Sequence, residues 1–164
     1  MRLIVSNTGP LLHLAEGGSL GLLGLAGELH VPRQVVAELV SLEHVLPELP
    51  WIMVQDLESA PAHKALAWQQ AGLLDAEEAE ALALAQQLQA DWFLTDDAAA
   101  RLLASSLGLE VHGAVGIVLW AAALGHVDHA GAHEAPNRLA QSSLWISSRV
   151  LTEAQQAIER LFEN

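Results

Sequence analysis

The sequence predicts an α/β fold: a three-layer α/β/α sandwich with a central parallel sheet of about five strands. Short β-like segments alternate with helical stretches along the chain, which is the pattern of parallel strands joined by helical crossovers. Hydrophobic residues make up 52% of the chain and charged residues 16%, enough apolar material for one large core. The length of 164 residues fits one domain, so we expect residues 1–164 to form a single domain.

In the first half of the chain, each predicted strand is a short apolar segment that ends in turn residues. Leu3–Ser6 is the first strand, and Pro10 shortly after it suits the first turn of a helix. Pro32 likewise opens a helix after the second strand. The predicted elements up to residue 54 are strands at 3–6, 29–31 and 51–54, helices at 11–16, 19–26 and 32–41, and a loop at 47–50.

In the second half of the chain, capping residues mark the predicted helix starts. Asp75 and Asp97 each precede an alanine-rich stretch, where an aspartate side chain accepts hydrogen bonds from free backbone N–H groups. Gly108 suits the end of the helix that Asp97 opens, and Ser147 or Ser148 caps the last helix. The remaining predicted elements are helices at 61–71, 75–88, 97–107, 114–124, 127–141 and from 147 or 148 to 162, and strands at 92–95 and 110–112.

The composition excludes several classes of protein. There are no cysteines, which excludes disulfides and thiolate metal sites. No apolar run reaches the ~18 residues that a membrane span needs, and the N-terminal segment is too short for a signal peptide, so we expect a soluble, cytoplasmic protein with no membrane partner. Seven basic residues against twenty acidic ones give a net charge of −13, which opposes nucleic-acid binding and favours a basic partner.

A cluster of acidic and polar side chains is expected at one edge of the sheet. Sites in open parallel sheets lie beyond the carboxyl ends of the strands, where the strand order reverses. In the commonest order the first and fourth strands lie side by side there; Asn7 follows the first, and Asp96 and Asp97 follow the fourth. Two more acids are placed to join them, one in the helix after the second strand and one near the start of the helix before the fourth: Glu38 and Glu78.

Such a cluster predicts a site for a hard divalent cation. Mg²⁺ prefers oxygen ligands, and three or four converging carboxylates could hold one or two ions. These ions activate water and stabilise an in-line phosphoryl displacement. Each residue also has an ordinary structural explanation as a helix cap, a solvated helix residue or a turn residue; Glu78, for instance, fits a capping box with Asp75. The spacing of all four segments together favours the metal site.

These residues fall within stretches that resemble the PIN-domain ribonuclease superfamily and, within it, the VapC-like toxin proteins. The resemblance covers essentially the whole chain. Its most specific stretches are the acidic, alanine-rich run at 74–85 and the Leu-Thr-Asp-Asp sequence at 94–97. The other matching stretches are 5–12, 31–32 with Glu38 in the next helix, 107–109, 115–119 and 145–147.

The resemblance implies an endoribonuclease that depends on Mg²⁺ or Mn²⁺ and is neutralised by a small cognate antitoxin, which the charge of this chain predicts to be basic. By the same resemblance Glu38, Glu78 and Asp96 are the metal-binding and catalytic acids, and Asp97 adds a further ligand. Thr8 or Thr95 would support water or phosphate. Cleavage by an activated water would leave a 5′-phosphate and a 3′-hydroxyl, and we expect the protein to be a homodimer.

Two further residues bear on this activity. Arg101, one turn after Asp97, could reach a phosphate at the mouth of the site. Asn7 departs from the family pattern, which usually has an aspartate there; an amide oxygen still coordinates a hard cation but removes one negative charge. A second hypothesis is therefore a PIN-like scaffold that has lost catalysis and binds nucleic acid or protein. A receiver-like phosphoacceptor domain is disfavoured, because the acidic pair after the first strand and the lysine near the last strand are missing.

Overall fold

The structure, a computed structural model, describes residues 1–163. Its strands are β1 (Leu3–Ser6), β2 (Glu28–Pro32), β3 (Ile52–Gln55), β4 (Trp92–Leu94) and β5 (Val111–His112). Each of the four neighbouring strand pairs is parallel, and together they form one sheet in the order β3-β2-β1-β4-β5. The predicted α/β fold with a central parallel sheet of five strands is confirmed.

Helices flank the sheet. Those in the described part of the chain are α1 (Thr8–Glu16), α2 (Leu22–Ala26), α3 (Arg33–Ser41), α4 (Ser59–Gln70), α5 (Ala76–Leu88), α6 (Ala98–Ser106), α7 (Ala114–Ala123), α8 (His129–Ala140) and α9 (Ser148–Phe162). Within residues 1–163, none of these helices is long and apolar enough to cross a membrane.

Helix α5 is buried along much of its length, which explains the alanine- and leucine-rich run in the sequence. The residues from Ala81 to Ala85 are each at most 1% exposed. The helix contacts β1, β2 and β4 as well as α3, α4 and α6. A helix that is apolar on all sides is buried in this way, and small alanine side chains allow close approach to the sheet. Its acidic side chains lie near its start, with Glu77 and Glu78 in the first turn and Glu80 just after it, so the helix delivers Glu77 and Glu78 to one edge of the sheet.

Three of the predicted helix starts rest on side-chain caps that the structure contains. Asp75 forms a capping box with Glu78 at the start of α5. The Asp97 carboxylate accepts a hydrogen bond from the backbone N–H of Ala100, and the Ser147 hydroxyl accepts one at the start of α9. Gly108 follows the end of α6 with φ +83°, the left-handed conformation that favours glycine.

The structure differs from the predicted boundaries at four helix starts. Helix α1 begins at Thr8, three residues earlier than predicted, directly after Asn7. The helix predicted at 19–26 is reduced to α2, and residues 20 and 21 form a turn instead. Helix α4 begins before Pro61, since a proline in the first turn removes an N–H that would lack a partner anyway. Helix α8 begins two residues late, at His129, where the Asp128 side chain caps it.

Candidate metal centre

The pairing of β1 with β4 brings the ends of two distant segments together. Ser6 lies opposite Leu94 in the parallel register, and the backbone N–H of Asn7 donates a 3.1 Å hydrogen bond to the Leu94 carbonyl. Strand order reverses at this pair, because β2 and β3 continue from β1 on one side and β5 follows β4 on the other. Open parallel sheets form their binding sites at this point.

A cavity of about 450 Å³ lies beyond these strand ends. Six of the residues predicted for the site line it: Asn7, Thr8, Glu38, Glu78, Asp96 and Asp97. They come from the end of β1 and the start of α1, from α3, from α5 and from the segment after β4. The structure therefore brings together the four distant segments that the sequence singled out. Glu77, His13 and the segment 143–145 complete the wall of this acidic cavity.

Asn7, in the wall of the acidic cavity, has an unpaired polar atom. The residue is 3% exposed, and its amide Nδ2 donates a 2.7 Å hydrogen bond to the hydroxyl of Thr95. Within residues 1–163, its other amide atom, Oδ1, is buried and has no hydrogen-bond partner, and the hydroxyl of Thr8 is in the same state. Leaving a buried polar atom unpaired costs about 1–3 kcal/mol. A carbonyl oxygen in this state fits a hard cation, which would supply the missing partner.

Asp96 is held by both of its carboxylate oxygens. Oδ1 accepts a 2.9 Å hydrogen bond from the backbone N–H of Ala114, at the start of α7. Oδ2 lies 2.8 Å from Nδ1 of His13, and both side chains are 13% exposed. Gly113 makes this position possible, because a Cβ there would lie 2.5 Å from Oδ1 of Asp96. The carboxylate is thus fixed in orientation while each oxygen keeps a lone pair for a ligand.

Thr95 supports the site from below and does not line the acidic cavity. It is completely buried, and its hydroxyl accepts hydrogen bonds from Asn7 Nδ2 and from the backbone N–H of Asp97. The expectation that Thr95 meets water or phosphate directly is therefore corrected. Its hydroxyl instead orients Asn7 and the backbone of Asp97, the N-cap of α6. Thr8, the alternative, does line the cavity.

The start of α5 carries the tightest group of acids found within the described residues. The carboxylates of Asp75, Glu77 and Glu78 offer oxygens that all lie within 4.8 Å of one another. Glu78 Oε2 also accepts a 3.0 Å hydrogen bond from the backbone N–H of Asp75, so the capping interpretation of Glu78 holds in the structure. The capping role uses one oxygen and leaves the other free.

The acids of the cavity repel one another. Burial raises the pKa of Glu78, and the charges of Asp97, Glu77 and Asp75 raise it further. Burial likewise raises the pKa of Glu77, with added effects from the charges of Glu38 and Asp75. Glu38 therefore lies close enough to α5, and Asp97 close enough to Glu78, for their charges to be felt. A divalent cation in the acidic cavity would relieve this repulsion.

Two residues of the site escaped the sequence reasoning. His13 lies in an otherwise apolar stretch of α1, and nothing in its neighbours along the chain distinguishes it from an ordinary helix residue. Glu77 stands beside Glu78, but the capping pattern accounts for Asp75 and Glu78 and leaves Glu77 without a signal. An isolated polar side chain in the helix that follows the first strand is the only hint that the sequence contains of His13.

Arg101 lies in a neighbouring cavity and not in the acidic one. This second cavity has a volume of about 410 Å³ and is lined by Asp96, Arg101 and His112, among others. The Arg101 side chain is exposed, and its Nη1 donates a 3.0 Å hydrogen bond to the Thr95 carbonyl. The predicted phosphate-binding arginine is therefore next to the acids, one cavity away.

Comparison with known proteins agrees with the fold. The DUF3368 family model, described as a PIN domain, matches residues 3–160, nearly the whole chain. No curated protein and no solved structure matches the chain.

Proposed function

Because the chain belongs to the PIN domain family, a nuclease superfamily, we propose that it is an endoribonuclease that uses Mg²⁺ or Mn²⁺. The observation that carries this proposal is the buried, unpaired Oδ1 of Asn7 at the wall of a cavity that also holds Glu38, Glu78 and Asp96. An unpaired carbonyl oxygen and carboxylates in the wall of one cavity are the kind of oxygen donors that a hard divalent cation takes. The DUF3368 family assignment connects that donor set with nuclease chemistry.

Four side chains would hold the ion: Asn7 through its amide oxygen, and Glu38, Glu78 and Asp96 through their carboxylates. A bound divalent cation supplies an activated water and neutralises the charge that develops on the phosphate. The chain contributes orientation. His13 and the Ala114 N–H fix the Asp96 carboxylate, and Thr95 fixes the Asn7 amide so that Oδ1 is left free. Asp97 would add negative charge beside Glu78.

The partner of the protein follows from its charge. A net charge of −13 attracts a basic protein and repels RNA. We propose that the protein is a VapC-like toxin, a single PIN domain over residues 1–164 that forms a homodimer and is neutralised by a small basic antitoxin. A short neighbouring reading frame for a basic DNA-binding protein would support this, and expression without that partner should arrest growth.

The decisive experiment is a cleavage assay with matched acid variants. Purified protein is incubated with end-labelled RNA of mixed sequence and Mn²⁺, and the products are tested for a 5′-phosphate. We expect Asp96→Asn and Glu38→Gln each to lower the cleavage rate by roughly 100-fold or more, because each removes charge from a preorganised site. Glu48→Gln is the control, since Glu48 is exposed in the loop before β3 and does not line the acidic cavity. Equal cleavage by all variants would point to a contaminating nuclease and sink the proposal.

The second candidate is a PIN scaffold without catalysis. Asn7 in place of the usual aspartate favours it, because the site holds one negative charge fewer than the family pattern. This protein would bind Mn²⁺ and RNA without cutting the RNA. Mn²⁺ that raises the melting temperature of the wild type but not of Asp96→Asn, in a protein that leaves RNA intact, would identify this second function.

A further inference from the structure

The acidic cavity and the cavity of Arg101 adjoin each other. Asp96, Leu144 and Trp145 line both of them. Leu144 and Trp145 belong to the segment between α8 and α9, so this segment forms part of the wall of both cavities. A polymer with one phosphate at the acids would place its neighbouring nucleotide in the second cavity.

The side chain of Trp145, in this segment, is largely exposed to solvent. The residue is 84% exposed. By contrast, Trp92 is 5% exposed and packs edge-on against Trp120 at the opposite end of β4. An aromatic ring of this size gains little by facing water, whereas such rings are the surfaces on which the bases of single-stranded nucleic acid stack.

The second cavity joins an apolar wall to one free positive charge. Val111, Val115 and Ile146 supply apolar surface, and Arg101 stands at the side that faces Asp96. Within residues 1–163, Arg101 has no ion pair, whereas Arg33, Arg138 and Arg149 are each paired with an acid. Small-ligand pockets typically measure ~300–1,000 Å³, and the volume of about 410 Å³ falls in that range.

We propose that this second cavity is a base-binding subsite for single-stranded RNA, in which Trp145 stacks on the nucleobase beside the cleaved phosphate and Arg101 contacts the flanking phosphate. The proposal rests on the proposed nuclease function and names its substrate class. A base enters such a cavity only when it is unpaired and unstacked, so duplex RNA is excluded. Continuity with the acidic cavity favours a nucleotide over a second copy of this chain, because a strand bound at the acids would extend into this cavity.

The test measures binding apart from cleavage. A fluorescein-labelled, mixed-sequence RNA of about 12 nucleotides, single-stranded or annealed to its complement, is titrated with protein in Ca²⁺ buffer, and gels check that the RNA stays intact. Wild type, Trp145→Ala, Trp145→Phe and the control Leu124→Ala are compared by anisotropy. Leu124 is 60% exposed at the end of α7 and lines neither cavity. Quenching of tryptophan emission by RNA is compared between wild type and Trp145→Phe.

We expect Trp145→Ala to bind the single strand about 5- to 100-fold more weakly than wild type, from the usual range of base–aromatic stacking. Trp145→Phe should keep most of the affinity but lose most of the quenching, and Leu124→Ala should match wild type. Equal affinity of wild type and Trp145→Ala, or equal binding of single strand and duplex, would overturn the proposal. So would a Trp145→Ala protein that changes only its sedimentation, because a second copy would then be what covers the ring.

The cleavage assay separates this subsite from the nuclease function. If cleavage depends on the acids but Trp145→Ala has the same KM as wild type, the subsite proposal is contradicted and the nuclease proposal is supported. If Trp145 contributes to RNA binding but no cleavage occurs, the nuclease proposal is contradicted and a single-strand binding site is supported. A raised KM with an unchanged kcat in Trp145→Ala would support both.

Discussion

Nδ1 of His13 lies 2.8 Å from Oδ2 of Asp96, and this contact ties α1 to the segment that follows β4. The other oxygen of Asp96 accepts the backbone N–H of Ala114. Two helices therefore determine where one carboxylate points, and the geometry of the proposed metal centre depends on residues that are not themselves ligands. Partners of this kind orient ligand side chains and tune their basicity.

Removing the imidazole should weaken the metal centre without unfolding the protein. For His13→Ala we expect Mn²⁺ binding to weaken by about 10- to 100-fold, since the loss of such an orienting partner commonly has an effect of this size. His13→Asn should recover part of the affinity, because an amide can still donate to Asp96. Calorimetric titration of Mn²⁺ measures both. His63→Ala, on the exposed side of α4, is the control, and equal affinity for His13→Ala and His63→Ala would show that the imidazole does not orient the carboxylate.

A methyl group at position 113 should displace Asp96 from its place. In Gly113→Ala the new Cβ would stand 2.5 Å from Oδ1, and the carboxylate, as the end of a side chain, would swing away. We expect a loss of Mn²⁺ affinity of about 10-fold or more with only a small change in melting temperature. In Gly116→Ala, within α7, the new Cβ would meet nothing closer than 3.8 Å, and this variant should bind Mn²⁺ as wild type does. Matching affinities for the two variants would contradict this account of Asp96.

Restoring the aspartate of the family pattern should affect stability in opposite directions with and without metal. Asn7→Asp places a buried negative charge beside the acids of the cavity, so the metal-free protein should melt at a lower temperature. Mn²⁺ should bind more tightly and return more than the lost stability. Differential scanning calorimetry with EDTA or Mn²⁺ checks both effects. If Asn7→Asp binds Mn²⁺ no better than wild type, residue 7 does not face the ion.

The stabilising effect of Mn²⁺ should grow with pH. Burial raises the pKa of Glu78 and of Glu77 above the ordinary value of ~4.3, so these carboxyls take up protons more readily in the folded, metal-free protein than in the unfolded chain. Their contribution to stability is complete below the unfolded pKa and is lost as the pH rises through the raised folded values. At neutral pH the two charged carboxylates therefore destabilise the metal-free fold.

At low pH a cation must displace the protons on Glu77 and Glu78, whereas at higher pH both carboxylates are already deprotonated. Melting curves with and without Mn²⁺ at about pH 5 and about pH 7.5 should show the larger shift at the higher pH. Glu78→Gln should raise the melting temperature of the metal-free protein at the higher pH and reduce the shift caused by Mn²⁺. A shift that is the same at both values would mean that these acids do not bind the ion.

The fold and the location of the site could be predicted because both follow from local patterns and one topological rule. Alternating strands and helices define the parallel sheet. The strand order reverses between β1 and β4, so the ends of these two strands lie side by side there. The helix caps at Asp97 and Ser147 depend on residue types that the sequence shows directly. None of these inferences needs knowledge of how side chains pack.

The remaining features depend on packing that the sequence does not contain. Whether Thr95 faces the cavity or lies beneath it depends on how α6 leaves the sheet, and the structure places its hydroxyl under Asn7. His13 becomes part of the site only because α1 crosses next to the segment after β4. Arg101 lies one turn after the Asp97 cap, yet its side chain turns into the neighbouring cavity, with a hydrogen bond to the Thr95 carbonyl.

The hydrogen bond between Asn7 and Thr95 joins residues 88 positions apart. Chains are synthesised from the N-terminus, so a growing chain that has reached only α5 already holds Asn7, Glu38 and Glu78 but has neither Thr95 nor Asp96 to complete them. The proposed metal centre can assemble only after β4 has been made and has inserted beside β1. The proposed metal centre is therefore incomplete throughout the first half of translation.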